Sequence, residues 1–447
     1  MRSLFVASLL ASASLLGCSG HSGAGGGNAD GPGAPNLLKA NVERVDPTTL
    51  PSDALTTAAT ANNGFAVDVY TRLAANAPSQ NFVMSPVSAA LALGMAYAGA
   101  EGTTASQMAT ALHFAASPGT GIADGQNALS AALATRESMA QQGAPTGADG
   151  AAPPCALRIV NSIWGEKTYP WSSSFLDVMA ASYGTGVYAE DFIQHADQAT
   201  SAINAWVQAQ TNGAIYPLLD GLDPTTRMVL VNAVYLQLPW QQPFFTTDTT
   251  QDAFTRADGS TVTASFLHQT SAYSYVDDGQ AQIVGLPLLG GVSAVVTLPH
   301  ADVTLAAYEA GLTASSAALA IPASHIGVQI ALPKVDFTTA TFSLKSPLQA
   351  MGMTQAFEAG SADFTGMCPA PACSNLYVDD VLQKAMIQIA EEGVEAAAAT
   401  AVVIRDLAGY AGPTTVTVNR PFLISLVDGA TGAVLFVGHV VDPTASM

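Results

Sequence analysis

The sequence predicts an α+β fold in a single domain spanning residues 62–447. Helical spacing and helix caps dominate the first half of the patterned region, and strand-like runs joined by glycine-rich turns dominate the second. The two periodicities do not alternate as a doubly wound sheet requires. No segment repeats at 20–50 residues, which excludes solenoids and propellers.

In chain order, Ser85-Pro86 reads as a capping serine with proline at the first helical position. The fourteen residues that follow, to Ala100, are almost all apolar or small, so that helix is buried on every side. Thr104 and Gln107 fit a capping box for the next helix. Ala202–Ala209 reads as helix, with Asn212-Gly213 as its stop. Gln282–Leu289 and Val292–Leu298 flank Gly290-Gly291, a hairpin signal. Phe422–Val427 and Val434–Val440 are nearly continuous in apolar residues and predict strands buried on both faces.

The 447 residues are 49% hydrophobic and 11% charged, ample material for a large core. Thirty-four acids against fourteen bases leave a net charge of −20, which opposes contact with nucleic acid at long range. Arg2 followed by the apolar run Leu4–Leu16 is too short to span a bilayer and reads as a signal peptide over residues 1–18. It ends Leu15-Leu16-Gly17-Cys18, similar to the bacterial lipoprotein box, whose cysteine is lipidated; an ordinary secretory signal with an incidental cysteine is the other reading. Both take the protein out of the cytoplasm, either membrane-anchored or secreted. Residues 19–61, rich in Gly, Ala, Pro, Ser and Thr, read as a flexible tether, and Gln142–Pro154 as a surface insertion. In an oxidising compartment Cys368 and Cys373, bracketing Pro-Ala-Pro-Ala in what reads as an exposed loop, suit a local disulfide that leaves Cys155 over. No histidine pair stands at ligand spacing near these cysteines, so neither metal nor cofactor is expected.

Enzyme signatures are missing. Gly20-His21-Ser22-Gly23-Ala24 approaches a nucleophile elbow but lies in the tether and lacks its final glycine. No lysine has a serine three residues before it, and neither His-Glu-x-x-His nor a phosphate loop occurs.

The informative stretch is Lys384–Phe422. After the strand-like Ala385–Ala390 comes Glu391, Glu392, Gly393, Val394, Glu395, Ala396, Ala397, Ala398, Ala399, Thr400, in which the alanine run favours helix and the following Ala401–Ile404 favours strand. Read with period two, Val394, Ala396, Ala398, Thr400, Val402 and Ile404 form a burial-ready face. The opposite positions, Glu395 to Arg405, carry every charge before Asp406. An insertable strand and an alanine-rich helix followed by a loop both fit this segment.

Glu391–Thr400 is similar to the proximal hinge of inhibitory serpins. Asn419-Arg420-Pro421-Phe422 with Phe436–Pro443 resembles the signature after that family's reactive loop. Asn81–Ser88 resembles its shutter helix, and Leu230–Leu236 with Trp240 its central strand and breach tryptophan. The resemblance covers about Asn62 to Thr444. It implies a serpin fold: three β-sheets, a helical shell and a long exposed reactive loop, about residues 391–413, near the C-terminus. It also implies a monomeric suicide inhibitor of extracellular serine proteases, with no catalytic residues. Ser85, Ser88, Asn232 and Trp240 would then line the region where the main sheet opens. Gln383 stands there in place of the family's common histidine and cannot titrate. Carrying the hinge-to-bond spacing over from Glu391 places the reactive bond at Leu407-Ala408; counting back from Pro421 favours Tyr410-Ala411. Leu407 or Tyr410 suits chymotrypsin-, elastase- or subtilisin-like targets. A non-inhibitory binding or carrier role, or a cysteine-protease target, is the alternative.

Overall fold

The computed structural model of the protein describes residues 35–114, 121–144, 153–373, 375–394 and 412–445. Its helices are α1 (Ala54–Asn76), α2 (Pro86–Tyr97), α3 (Gly102–Ala111), α4 (Gly121–Gly143), α5 (Ser173–Tyr183), α6 (Ala196–Gln210), α7 (Leu305–Ala310) and α8 (Lys345–Ala350). The strands begin with β1 (Leu37–Leu38), β2 (Phe82–Met84), β3 (Ala156–Glu166), β4 (Val187–Glu190), β5 (Met228–Pro239) and β6 (Thr250–Thr255). They continue with β7 (Thr261–Asp277), β8 (Ala281–Pro287), β9 (Val292–Pro299), β10 (His325–Pro333), β11 (Val335–Thr338) and β12 (Phe342–Ser343). The last six are β13 (Val381–Lys384), β14 (Met386–Ile389), β15 (Gly393–Val394), β16 (Thr414–Thr417), β17 (Phe422–Asp428) and β18 (Val434–Val440).

These strands form two hydrogen-bonded networks. The first runs β1-β4-β3-β5-β15-β14-β11, with β13 closing on β5 and β12 on β13. The second runs β16-β10-β7-β8-β9-β17-β18-β2, with β6 also on β7. It has two parts that share β7: residues 261–266 pair with β6 and 266–274 with β10, while 274–277 pair with β8. Counted by these parts, the sheets are three, and they meet as two networks because one seventeen-residue strand serves both.

Apolar runs became central elements. β5 is buried along nearly its whole length. Its residues Val229, Val231 and Ala233 pack under Ile203 and Val207 of α6, while Met228, Leu230, Val234, Leu236 and Leu238 join the cores on the other face. Every α2 residue from Pro86 to Ala96 is buried, as its uniform composition requires. β17 and β18 are buried at every position. The β8–β9 hairpin turns through Gly290 and Gly291, both at positive φ (81° and 80°), which glycine adopts without steric cost.

Several expectations need correction. The segment read as tether to residue 61 is folded from residue 35: β1 lies in it, and α1 begins at Ala54. Thr104 and Gln107 form no capping box. The Asp363 amide donates to Thr104 Oγ1 (3.0 Å), and Gln107 Oε1 accepts from the amides of Thr354 and Gln355 (3.1 and 2.8 Å), so distant loops claim both side chains. Ser85 holds the N-cap position of α2, but its hydroxyl donates to the Leu435 carbonyl (2.6 Å) instead of capping the helix. Cys368 and Cys373 are joined as a disulfide with Cα atoms 5.7 Å apart. Both are buried, and only the residues between them are exposed. As for the surface insertion, α4 extends through Gly143, and residues 145–152 lie outside the described residues. Cys18 also lies outside them. Among the described residues, no helix is long and apolar enough to cross a membrane.

Candidate functional site

Three strands bring three amides into one row. Asn161 of β3 is paired with Asn232 of β5, and Asn232 with Gln383 of β13. The α2 N-terminus lies beneath them, and one backbone group sets the orientation of Gln383 and Asn232. The Ser85 amide donates to Gln383 Oε1 (2.8 Å), so Gln383 Nε2 must be the donor to the Ser85 carbonyl (2.9 Å) and to Asn232 Oδ1 (2.5 Å). Asn232 has then committed its oxygen, so its Nδ2 faces the side-chain amide of Asn161 (3.2 Å), which also lies against the Ser88 hydroxyl (2.8 Å). Ser85, Ser88, Asn232 and Gln383 are completely buried, where a broken bond leaves its partner without water. The structure therefore brings the four expected shutter residues together and adds Asn161, which the sequence reading missed. A polar residue in the middle of the strand Ile159–Ile163 was the available signal.

Towards the far end of β5 the sheet parts. β13 pairs with β5 in parallel from Leu230 to Ala233. At Ala385 the chain leaves β5, because Thr339, itself buried, takes over its backbone: the Ala385 carbonyl accepts from Thr339 N (2.8 Å) and Oγ1 (2.9 Å). Ala385 N in turn donates to Thr339 Oγ1 (3.1 Å). β14 continues against β11, and β15 enters between β14 and β5, with Val394 paired to Ile389 on one side and Leu238 on the other. Gly393 is required here, since a Cβ would stand 2.5 Å from the Leu238 carbonyl oxygen.

The hinge before β15 is held at several points. Trp240 donates its ring N–H to the Ala390 carbonyl (2.9 Å) and its amide to the Glu392 carbonyl (2.9 Å). The Phe244 amide donates to the Glu391 carbonyl (2.8 Å), and its ring meets Trp240 edge-on. The Glu391 carboxylate accepts from Lys334 Nζ (2.8 Å) and Thr249 Oγ1 (2.8 Å). Burial works to raise its pKa, but the hydrogen bonds from Lys334, its own backbone and Thr249 outweigh that and hold it below the ordinary glutamate value. Trp240 thus sits at the hinge, apart from the amide row. Glu391, Glu392, Gly393 and Val394 occupy this gap. Glu395, Ala396, Ala397, Ala398, Ala399 and Thr400 lie outside the described residues, as do both bond assignments, Leu407-Ala408 and Tyr410-Ala411. Cys155 is buried, and burial together with the Glu137 charge pushes its thiol up to about 11, so it is no thiolate nucleophile at neutral pH. Among the described residues no cluster of His, Cys, Asp and Glu could hold a metal ion.

Comparison with known proteins gives a consistent result. Residues 60–443 match the family model described as serpin (serine protease inhibitor). An uncharacterized serpin-like protein of Thermococcus kodakarensis is 32% identical over 384 residues, covering 85% of this chain and 84% of its own. Human leukocyte elastase inhibitor is 29% identical, covering 86% and 98%. Among solved structures, the thermophilic serpin tengpin in its native state aligns with a TM-score of 0.71 at 27% identity, over 92% of this chain and all of its own. Human thyroxine-binding globulin complexed with its hormone aligns at 0.74 and 24% identity, covering 88% of this chain and all of its own, a likeness of fold.

Proposed function

Because the chain belongs to the serpin family, we propose that it inhibits serine proteases by offering Leu407-Ala408 for cleavage and then inserting the freed loop between β5 and β13–β14. The observation that carries this reading is the register of β15. Val394 lies opposite Leu238, and on insertion the same register would put Ala396 opposite Leu236, Ala398 opposite Val234, Thr400 opposite Asn232, Val402 opposite Leu230 and Ile404 opposite Met228. That face is apolar along β5 except at Asn232, and the one hydroxyl among residues 394–404, that of Thr400, would fall opposite Asn232. On the other face Ala399, Ala401 and Val403 would meet Ala233, Val231 and Val229, the residues that α6 covers. Arg405 and Asp406 fall beyond the start of β5. Small and apolar residues therefore occur at each position the sheet would bury.

The chemistry is the protease's own. Its serine attacks the Leu407 carbonyl, the peptide bond to Ala408 breaks, and Leu407 is left as an ester on that serine. Insertion then moves the ester by the length of β5, about 40 Å at roughly 3.3 Å per residue. A displacement of even about 1 Å in the catalytic groups can cost on the order of 10²-fold in rate, so the ester is no longer hydrolysed. Insertion also separates Gln383 from Asn232 and puts Thr400 in its place.

A binding or carrier role would be expected to leave bulky, charged or proline residues on the inward face, and none occurs from Val394 to Ile404. The proposal includes export of the monomer, by the leader and, through a lipid on Cys18, attachment to a membrane surface. The test is incubation with subtilisin, chymotrypsin and elastase, with papain to detect a cysteine-protease target. The expected result is a boil-stable adduct at the summed mass with at least one serine protease, and a cleaved C-terminal fragment beginning at Ala408. Cleavage with no adduct from any enzyme would overturn the inhibitory reading, and a fragment beginning at Ala411 would move the bond to Tyr410.

A further inference from the structure

We infer that residues 35–53 form a strap that sets how fast the main sheet opens, with Arg44, Asn127 and Gly186 as its positioning residues. This rests on the loop-insertion reading above. The strap precedes the family-matched residues, yet it is stitched to three elements. Leu37 and Leu38 pair with Tyr188 and Val187, adding a strand to the β4 edge, and the Asn36 carbonyl accepts from the Ala189 amide (2.7 Å). Gly186 makes room for it: a Cβ there would stand 2.0 Å from the Leu38 carbonyl oxygen, and the three nearest atoms all belong to the strap. Lys39 Nζ then donates to the Gly184 carbonyl (2.8 Å) and the Val45 amide to the Ala181 carbonyl (2.8 Å), both at the end of α5. Finally Arg44 donates to Asn127 Oδ1 (2.8 Å) and Ser130 Oγ (2.6 Å) on α4, and Asn127 Nδ2 donates back to the Val45 carbonyl (2.9 Å).

The strap therefore spans a boundary between parts that must shift against each other. To admit a strand beside β5, the leaf β1-β4-β3-β5 has to separate from β13–β14 by one strand spacing, about 4.8 Å. β11, which pairs with β14, follows β10 of the second network after the single residue Lys334, so that side is tied to the body of the molecule. The leaf carrying β4 is the freer one. α4 is held on both sides: Arg136 grips the buried Asp428 at the end of β17 (2.5 and 3.2 Å), and Glu137 accepts from the Leu157 amide (3.3 Å) and from Arg158 (2.8 Å) of β3. A Cβ on Gly290 would stand 2.6 Å from the Arg136 carbonyl oxygen, so α4 also presses on the β8–β9 turn. The strap is fastened to the mobile leaf at β4 and, at its other end, to α4, and hydrogen bonds of about 2.9 Å do not survive a shift of several ångström. Opening must detach one end of the strap unless α4 travels with the leaf and gives up its grip on Asp428.

The experiment uses the full chain and a fluorescent synthetic peptide with the sequence of residues 394–404, following its incorporation into the intact protein on native gels. Gly186→Ala displaces the strap at β4, and Arg44→Ala frees it from α4. Each variant is expected to take up peptide about tenfold faster than wild type, as losing one or two net hydrogen bonds implies. The double variant should gain little more, since both changes release one strap. Faster hydrogen exchange at the Leu38 amide, with peptide uptake still within twofold of wild type, would overturn the proposal. If wild type takes up peptide at no temperature below its melting point, the loop-insertion reading falls and the strap falls with it.

Discussion

Replacing Gln383 by leucine tests the amide row most sharply. Leucine fills nearly the same volume but removes every bond the glutamine makes. Two atoms lose their partner, the Ser85 amide and Asn232 Oδ1, while the Ser85 carbonyl keeps the Ala89 amide (3.3 Å). Ser85 and Asn232 are fully buried, so no water replaces the amide. A buried polar group left unsatisfied costs about 1–3 kcal/mol, so the closed form should lose about 2 kcal/mol at the least. The assay is urea unfolding followed by tryptophan fluorescence, reading the free energy of the first transition. A loss below about 0.5 kcal/mol, within the ordinary scatter of surface substitutions, would refute the row as a determinant of the closed sheet. Gln383→His supplies the contrasting arm. A neutral imidazole can accept from Ser85 and donate to Asn232, whereas the imidazolium has no acceptor left. Its folded pKa is therefore depressed, and the stability it provides should be present above about pH 6.5 and fade as pH falls. Wild type should not show this dependence.

Other perturbations follow from the same contacts. Gly393→Ala should expel β15 from the gap, because its Cβ would meet backbone atoms of Leu238 and Pro239 at 2.5 and 2.6 Å; hydrogen exchange at the Val394 amide should rise, and unchanged exchange would contradict the placement. Arg136→Met strands the carboxylate of Asp428, which is fully buried, and should cost about 3–5 kcal/mol in equilibrium unfolding, whereas a loss under 1 kcal/mol would mean that water reaches it. Acid should loosen the hinge. The folded pKa of Glu391 lies below the ordinary glutamate value of 4.5, so its contribution is complete above that value and is lost as pH falls through the depressed one. Exchange of the 390–394 amides, corrected for intrinsic rates, should accelerate below about pH 4.5, and Glu391→Gln should abolish that pH dependence.

Where local pattern and tertiary structure agree, the sequence reading held: the β8–β9 hairpin, the fully buried β17 and β18, and α2 need only composition and turn chemistry. The buried polar cluster of Ser85, Ser88 and Asn232 was legible through motif resemblance, because all three are polar in otherwise apolar runs. Asn161 escaped because its flanking strand carries no motif, and only the register across β5 puts it beside Asn232. Thr104 and Gln107 fit a capping box locally, but residues about 250 positions away compete for the same oxygens. The folded part of the supposed tether was hidden for a similar reason. Ala54–Ala61 has little apolar periodicity, and its burial depends on α4, where Gly125 allows contact with Ala54 and Ala58.

The account stands on one event, entry of residues 394–404 beside β5. Hydrogen exchange on the loop-cleaved protein measures it directly. The account predicts that amides from Ala396 to Ile404 become as protected as those of β5, while intact protein exchanges them faster. If the cleaved segment exchanges at the rate of a free peptide, the loop does not insert and the trapping mechanism is wrong.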